Sequence, residues 1–333
     1  MESNELQERL WGAFHPEAAR QVERIRNHNA RFVHYTSAES GMAILRTNRM
    51  LLRNSTLLND FSEVQHGMNC LSHAWHSAEG ARLKAILQGV QPDLPDILQR
   101  NFDDLFLDFR TETYLISVSE HGDPLDNQFE DTFGRLSMWR AYASRNGVAF
   151  VFRNTPFVTE SNALNAFTSP VVYATPEDFL PYFTELVSGI ESIRDIIAPW
   201  GGSWLHENLV NAFRFAIQST KHPAFKEERE WRVIYNPTPL QSATAEWPNQ
   251  LEKIPTEIMT LRGVPQRVFA IPFRNHPEEG FVGATIPELI DRILIGPSAD
   301  AYAIARAFVA QLTDCGVSDA EQRVTVTNIP LRT

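Results

Sequence analysis

Two glutamates separated by one residue, Glu228 and Glu230, stand at the mouth of the segment Glu230-Trp231-Arg232-Val233-Ile234-Tyr235. That segment has the aromatic and β-branched content of a strand. If the strand begins at the glutamates, alternation puts both carboxylates on one face. Carboxylates so placed repel, and each raises the other's pKa unless a cation or a hydrogen bond intervenes. Lys221, Arg229 and Arg232 are the cations available nearby. Such a pair suits hydroxyl recognition, general-base work or metal binding, and equally an exposed edge strand guarded by charge.

Other polar residues sit where a strand or helix would aim them. In "RFVHYTSAES" His34 and Tyr35 close a short strand and point to opposite sides, and a helix follows. A histidine at a strand end beside a helix N-terminus can donate to a ligand hydroxyl or phosphate. Thr36, three residues before Glu39, has capping-box spacing for that helix. Ser117 and Ser119 share one face of the strand Thr113–Ser119. Trp139 and Tyr142 are at i, i+3 on a helix, where they either pack a core or wall a pocket for a planar ring. In "STLLNDFSE" Asn59, Asp60 and Glu63 offer polar groups, with Asp60 and Glu63 spaced as a helix cap. His66, His73 and His76 lack the HExxH spacing of a zinc helix and read as structural.

The elements that must position these residues follow from periodicity. Apolar residues at helical spacing predict one helix over 5–28, others over 37–47, 61–88, 96–110, 134–144 and 299–314, and two over 176–219 divided by "APWGGS". Strands are expected at 32–35, 50–53, 113–119, 147–152, in "PVVYA", and at 230–235, 267–272, 292–295 and 323–327. Strands scattered among helices without a regular βαβ beat argue for the α+β class, a mixed or split small sheet with long helical insertions. The domain reading is an N-terminal helix over 1–30 and a single domain over 31–333, with a helical insertion at about 174–220.

With 41 acidic against 30 basic residues the net charge is −11, so non-specific attraction to a phosphate backbone is not expected. No Walker or GxGxxG loop follows a strand. The two cysteines, Cys70 and Cys315, have no zinc spacing, no metal is expected, and a reducing cytoplasm is the natural setting. The N-terminus lacks the apolar stretch of a signal peptide, and no run suits a membrane span.

Taken in order, "VHYTS", "LLNDFSE", "ISVSE", "SMWRAYASRNGVAFVF", "VVYA", "KEEREWRVIY" and "RILIGPS" resemble the bacterial family known as domain of unknown function 2971, over about 31–310. More distantly, "FVHYTS" with the helix and "NRMLLRNS" after it is similar to the opening of ADP-ribosyltransferases. That resemblance implies an ADP-ribosyltransferase-like fold and NAD as substrate, with a defence or toxin effector as one setting. It gives His34, assisted by Thr36 and beside Tyr35, the adenosine-side ribose. Ser117 and Ser119 match the Ser-x-Ser position, with Val118 between them in place of the usual hydroxyl residue. Tyr142 or Trp139 would stack on nicotinamide. Glu230 matches the late glutamate that holds the ribose 2′-hydroxyl, Glu228 completes a Glu-x-Glu pair, and Arg232 lies beside them.

Three readings follow. The first is an NAD-consuming ADP-ribosyltransferase or NAD glycohydrolase acting on a protein or nucleic-acid acceptor. The second is a non-catalytic module that binds a small nucleotide or a partner, anchored by Trp139 and Tyr142. The third is a metal-dependent nuclease using Asp60, Glu63, Glu228 and Glu230.

Overall fold

The computed structural model describes residues 3–57, 63–104, 106–122, 128–143, 145–161, 163–237, 254–261 and 263–330. Its strands are β1 (Arg31–Ser37), β2 (Arg49–Asn54), β3 (Tyr114–His121), β4 (Gly147–Phe152), β5 (Phe167–Pro170), β6 (Val172–Tyr173), β7 (Thr220–Lys221), β8 (Glu230–Tyr235), β9 (Thr256–Leu261), β10 (Val264–Pro272), β11 (Ile290–Ile295) and β12 (Val324–Val326). Ten of them form one sheet. Its main path runs β12-β11-β4-β1-β3-β2-β10-β9, while β8 pairs with β3 and carries β5. The pair β11–β12 is parallel and the other ladders of this sheet are antiparallel. The α+β class expected from the sequence therefore holds, with a mixed sheet larger than the small one anticipated.

Local sequence explains most of these elements. All six residues of β4, "GVAFVF", are buried, as an apolar run covered on both faces must be. At the sheet margin β9, where no strand was expected, alternates exposed and half-buried residues. The helix expected over 5–28 is two, Ser3–Phe14 and Pro16–Asn27, because Pro16 has no N–H to continue the first and suits the opening turn of the second. The helix expected over 61–88 is likewise two, Glu63–Trp75 and Ala78–Val90, divided where the Ser77 side chain caps Gly80 N. The cap of the helix Ala38–Thr47 is Ser37, which accepts from Ser40 N at 3.1 Å, and Thr36 belongs to β1.

The sheet is split at β3. Arg31–Val33 of β1 pairs with Ser119–His121, and Arg53–Asn54 of β2 pairs with Tyr114–Leu115. Both occupy the edge of β3 that faces away from β8, so along residues 116–118 that edge has no strand partner among the described residues. One side of the sheet packs Phe32, Val118, Phe150 and Trp231, and the other packs Val33, Tyr35, Trp139 and Val151. The helices Leu180–Ser192 and Gly201–Gln218, with the first helix and those over 63–104, build a separate helical core around Leu83, Val187, Leu209 and Phe213.

Candidate functional site

The unpartnered stretch of β3 centres on Ser117. Its carbonyl faces the split, and His34 of β1 closes the gap with Nδ1 3.0 Å from that oxygen. A carbonyl only accepts, so the hydrogen is on Nδ1. Burial pushes the His34 pKa down against the smaller opposing effect of this bond, so the ring is neutral at pH 7. Its Nε2 then carries a lone pair. The donating role expected for this nitrogen is corrected: in the neutral ring it accepts, from a hydroxyl rather than a phosphate.

The Ser117 hydroxyl points to one side of the sheet and donates to Glu230 Oε1. Ser117 is therefore the link between the two residues expected to form the site, His34 through its carbonyl and Glu230 through its side chain. The link is needed because of the pleat. Val33, Ser119 and Glu230 are directly paired and share a face, so alternation sends His34 to the other.

Glu230 is buried and surrounded by donors. Arg232 reaches both its oxygens at 2.9 and 3.2 Å, and Lys221 Nζ reaches Oε2 at 3.1 Å. With Ser117 these contacts fill the four acceptor positions of a carboxylate. Burial by itself would raise the Glu230 pKa, but Arg232, Lys221 and the Ser117 hydroxyl together hold it down to about 2. Glu230 is thus a carboxylate across the physiological range, and too weak a base to take a proton at pH 7. Its backbone N–H donates to Tyr173 Oη at 2.8 Å, and Arg232 also donates to the Gln218 carbonyl at 2.7 Å.

Glu228 ends the 3₁₀ turn Pro223–Glu228, and Arg229 follows in the left-handed region at φ 44°. This residue, and not strand alternation, brings the two carboxylates together. Both meet on Lys221 Nζ, Glu228 at 2.8 Å, and Tyr142 Oη donates to Glu228 at 2.8 Å. Burial first, then the Glu228 charge, raises the Tyr142 pKa, so the phenol stays protonated. Arg135 clamps the turn from below, donating to the carbonyls of Glu227 (2.8 Å), Glu228 (3.0 Å) and Glu120 (3.0 Å) and to the Glu130 carboxylate (2.6 Å). Arg229 also pairs with Glu130.

The remaining expected residues divide. Tyr35 and Trp139 are core, which removes them as ligand contacts. Tyr35 Oη accepts from Arg135 N at 2.8 Å, and the Trp139 indole donates to the Phe133 carbonyl at 2.8 Å while packing edge-on to Tyr35. Ser119 is buried beside Glu230 in the register. Thr36 is half-buried, two residues beyond His34 on the same side of β1. Asn59 and Asp60 lie outside the described residues, as does the side chain of Glu63. His66 and His76 each bond a backbone carbonyl, of Ala174 and Ser72. Arg135 and Tyr173 escaped the sequence reading because they act on backbone atoms, which leaves no spacing pattern. Lys221 was visible as a nearby cation, but its place between the carboxylates was not.

For metal chemistry, Glu228 and Glu230 are already neutralised by Lys221 and Arg232, which weakens the nuclease reading. Among the described residues, the three whose ligand atoms could share an ion are His276, Glu278 and Glu279, largely exposed and distinct from this cluster. A hollow of about 290 Å³ lies against the other side of β3 and is lined by neither His34 nor the acidic pair. Among the described residues no helix is long and apolar enough to cross a membrane.

A family model described as protein of unknown function (DUF2971) matches residues 138–233. The match spans both segments that carry the resemblance most specifically, "MWRAYA–GVAFVF" and "EEREWR", and takes in Tyr142, Lys221, Glu228, Glu230 and Arg232. It is under a third of the chain and leaves His34 and Ser117 outside. No curated protein and no solved structure matches the chain.

Proposed function

We propose that this protein consumes NAD, as an ADP-ribosyltransferase or NAD glycohydrolase, at the point where the sheet splits. The observation that supports this reading is Ser117, whose carbonyl meets a neutral histidine of β1 and whose hydroxyl meets, on the other side of the sheet, a glutamate of β8 that is ionised across the physiological range. His34 Nε2 accepts a ribose hydroxyl. The bond between C1′ and nicotinamide breaks with its electron pair leaving on nicotinamide, and the ribose becomes an oxocarbenium-like cation. The Lys221 ammonium, held between two carboxylates, marks where positive charge is most stable, and the ribosyl cation takes that place once Lys221 shifts. A fixed carboxylate at a developing cation acts as a preorganised electrostatic stabiliser. Glu228, with its Tyr142 partner, faces the acceptor, either water or a nucleophile of a protein or nucleic acid, which attacks C1′ and passes its proton to the Glu228 carboxylate.

The test is incubation with NAD, with and without cell lysate, following nicotinamide release and label transfer. Wild type turns over, and Glu230→Gln falls about 100-fold or more, the loss typical of a removed electrostatic stabiliser. Equal rates for the two reject the mechanism.

A second reading, nucleotide binding without turnover, is favoured by one observation: all four acceptor positions of Glu230 are taken, leaving none for a 2′-hydroxyl. Thermal stabilisation by NAD or another nucleotide without nicotinamide release supports that reading, and no stabilisation by any nucleotide counts against both.

A further inference from the structure

The apolar core beneath the sheet is interrupted. On the side of β3 that carries Ile116 and Val118, one cluster gathers Phe32, Val118, Phe150 and Trp231, and another gathers Leu52, Tyr114, Tyr235 and Phe269. Ile116 packs against both clusters and is filled in by neither. Ile116 and Val233 are directly paired in the middle of their strands, where a sheet residue is normally covered, yet both are only half-buried. The space over them is the hollow of about 290 Å³. Its walls include Met50, Val118, Phe157, Ala166, Phe273 and Leu289.

The charge pattern of the walls is one-sided. Among the described residues lining the hollow, Glu160 is the one that is charged, and it is exposed. Arg26 stands 3.5 Å from it and also donates to the Val158 carbonyl of the wall, but Arg26 itself does not line the hollow. An apolar hollow of about 150 Å³ stays dry and takes up benzene. One nearly twice that size accommodates a hydrocarbon body of about ten carbons. Water gains few hydrogen bonds there, and an anionic head would meet Glu160.

We infer that this hollow is a binding site for a small hydrophobic molecule of about ten carbons that carries no negative charge. The ligand lies over Ile116 and Val233 with its polar end toward Glu160, Ser161 and Thr159. The site shares no lining residue with the NAD reading: the Glu228–Lys221–Glu230 cluster lies on the opposite side of β3, and His34, which alternation places on the hollow's side, does not line it.

The experiment titrates the full chain with 1-decanol, decylammonium chloride and sodium decanoate, each below its micelle-forming concentration, by calorimetry and by the thermal unfolding midpoint. Decanol and decylammonium bind saturably at one site and raise the midpoint, and decanoate binds at least about tenfold more weakly. Ala166→Trp fills the hollow from the loop side and Val233→Phe from the sheet. Each weakens decanol at least about tenfold while its ligand-free midpoint stays at or above wild type. If one variant fails to fold, the other decides. Absence of saturable decanol binding, decanoate binding as tightly as decanol, or unchanged affinity in a folded filled variant overturns the inference.

Discussion

Replacing Glu230 by Gln removes a charge that holds two buried cations in place. Arg232 is 1% exposed and makes two contacts to this carboxylate, and Lys221 makes a third. The Glu230 pKa lies near 2 in the folded protein against an ordinary 4.5, a difference of about 3 kcal/mol in favour of the folded state at neutral pH. The sign follows from the depressed value. The stabilisation is fully present above pH 4.5 and is lost as pH falls through 2, so less than half of it remains at pH 3. Glu230→Gln therefore costs about 3 kcal/mol at pH 7, and the difference from wild type narrows by about 2 kcal/mol by pH 3. Lys221 retains Glu228, so the exposed liability is Arg232. Arg232→Met in the same chain relieves it, and the double variant is more stable than Glu230→Gln alone. Urea unfolding of the four proteins of the cycle at both pH values measures each quantity. A Glu230→Gln cost below about 1 kcal/mol at pH 7, or one that does not shrink toward pH 3, refutes the account of Glu230 as a clamped carboxylate. The cycle also protects the activity test, because the double variant separates a lost catalytic charge from a loosened fold.

His15 lies between the Trp11 and Phe215 rings, and burial drops its pKa to about 3, so the unfolded chain gains a proton below pH 6.5 that the folded chain refuses. His15→Phe should therefore match wild type at pH 7 and exceed it by about 2 kcal/mol at pH 5, measured by urea unfolding. Gly134 has φ +70°, and a Cβ there would stand 2.9 Å from both Trp139 Nε1 and Tyr35 Oη. Gly134→Ala should cost about 2–3 kcal/mol, read through tryptophan fluorescence in denaturant, and a loss under about 0.5 kcal/mol would contradict the packing. Arg135→Lys cannot reproduce the fork that holds the Glu227 and Glu228 carbonyls. It should cost about 2 kcal/mol and speed amide exchange over residues 225–229, and unchanged exchange there would dismiss the clamp.

Much of this architecture was legible in one dimension. The runs "YLISVS", "GVAFVF" and "EWRVIY" declare strands because burial on a pleated sheet selects apolar, β-branched and aromatic residues at short range. The residue types of the site, a histidine on an early strand, alternating serines and a late acidic pair, were visible for the same reason. Boundaries set by single residues were less so: Pro16 and Ser77 each divided an apparent continuous helix. Tertiary structure alone decided what each polar group touches. Trp139 and Tyr142 have the same spacing signal, yet one is sealed against Tyr35 and the other holds Glu228. Glu228 and Glu230 converge through a left-handed Arg229 and a lysine from β7, contacts that no local pattern encodes. The physical reason is range. Periodicity reports the side of an element that must leave water, a property of neighbours along the chain. Hydrogen bonds and ion pairs are settled by atoms a few ångströms apart in space and, like His34 and Ser117, far apart in sequence.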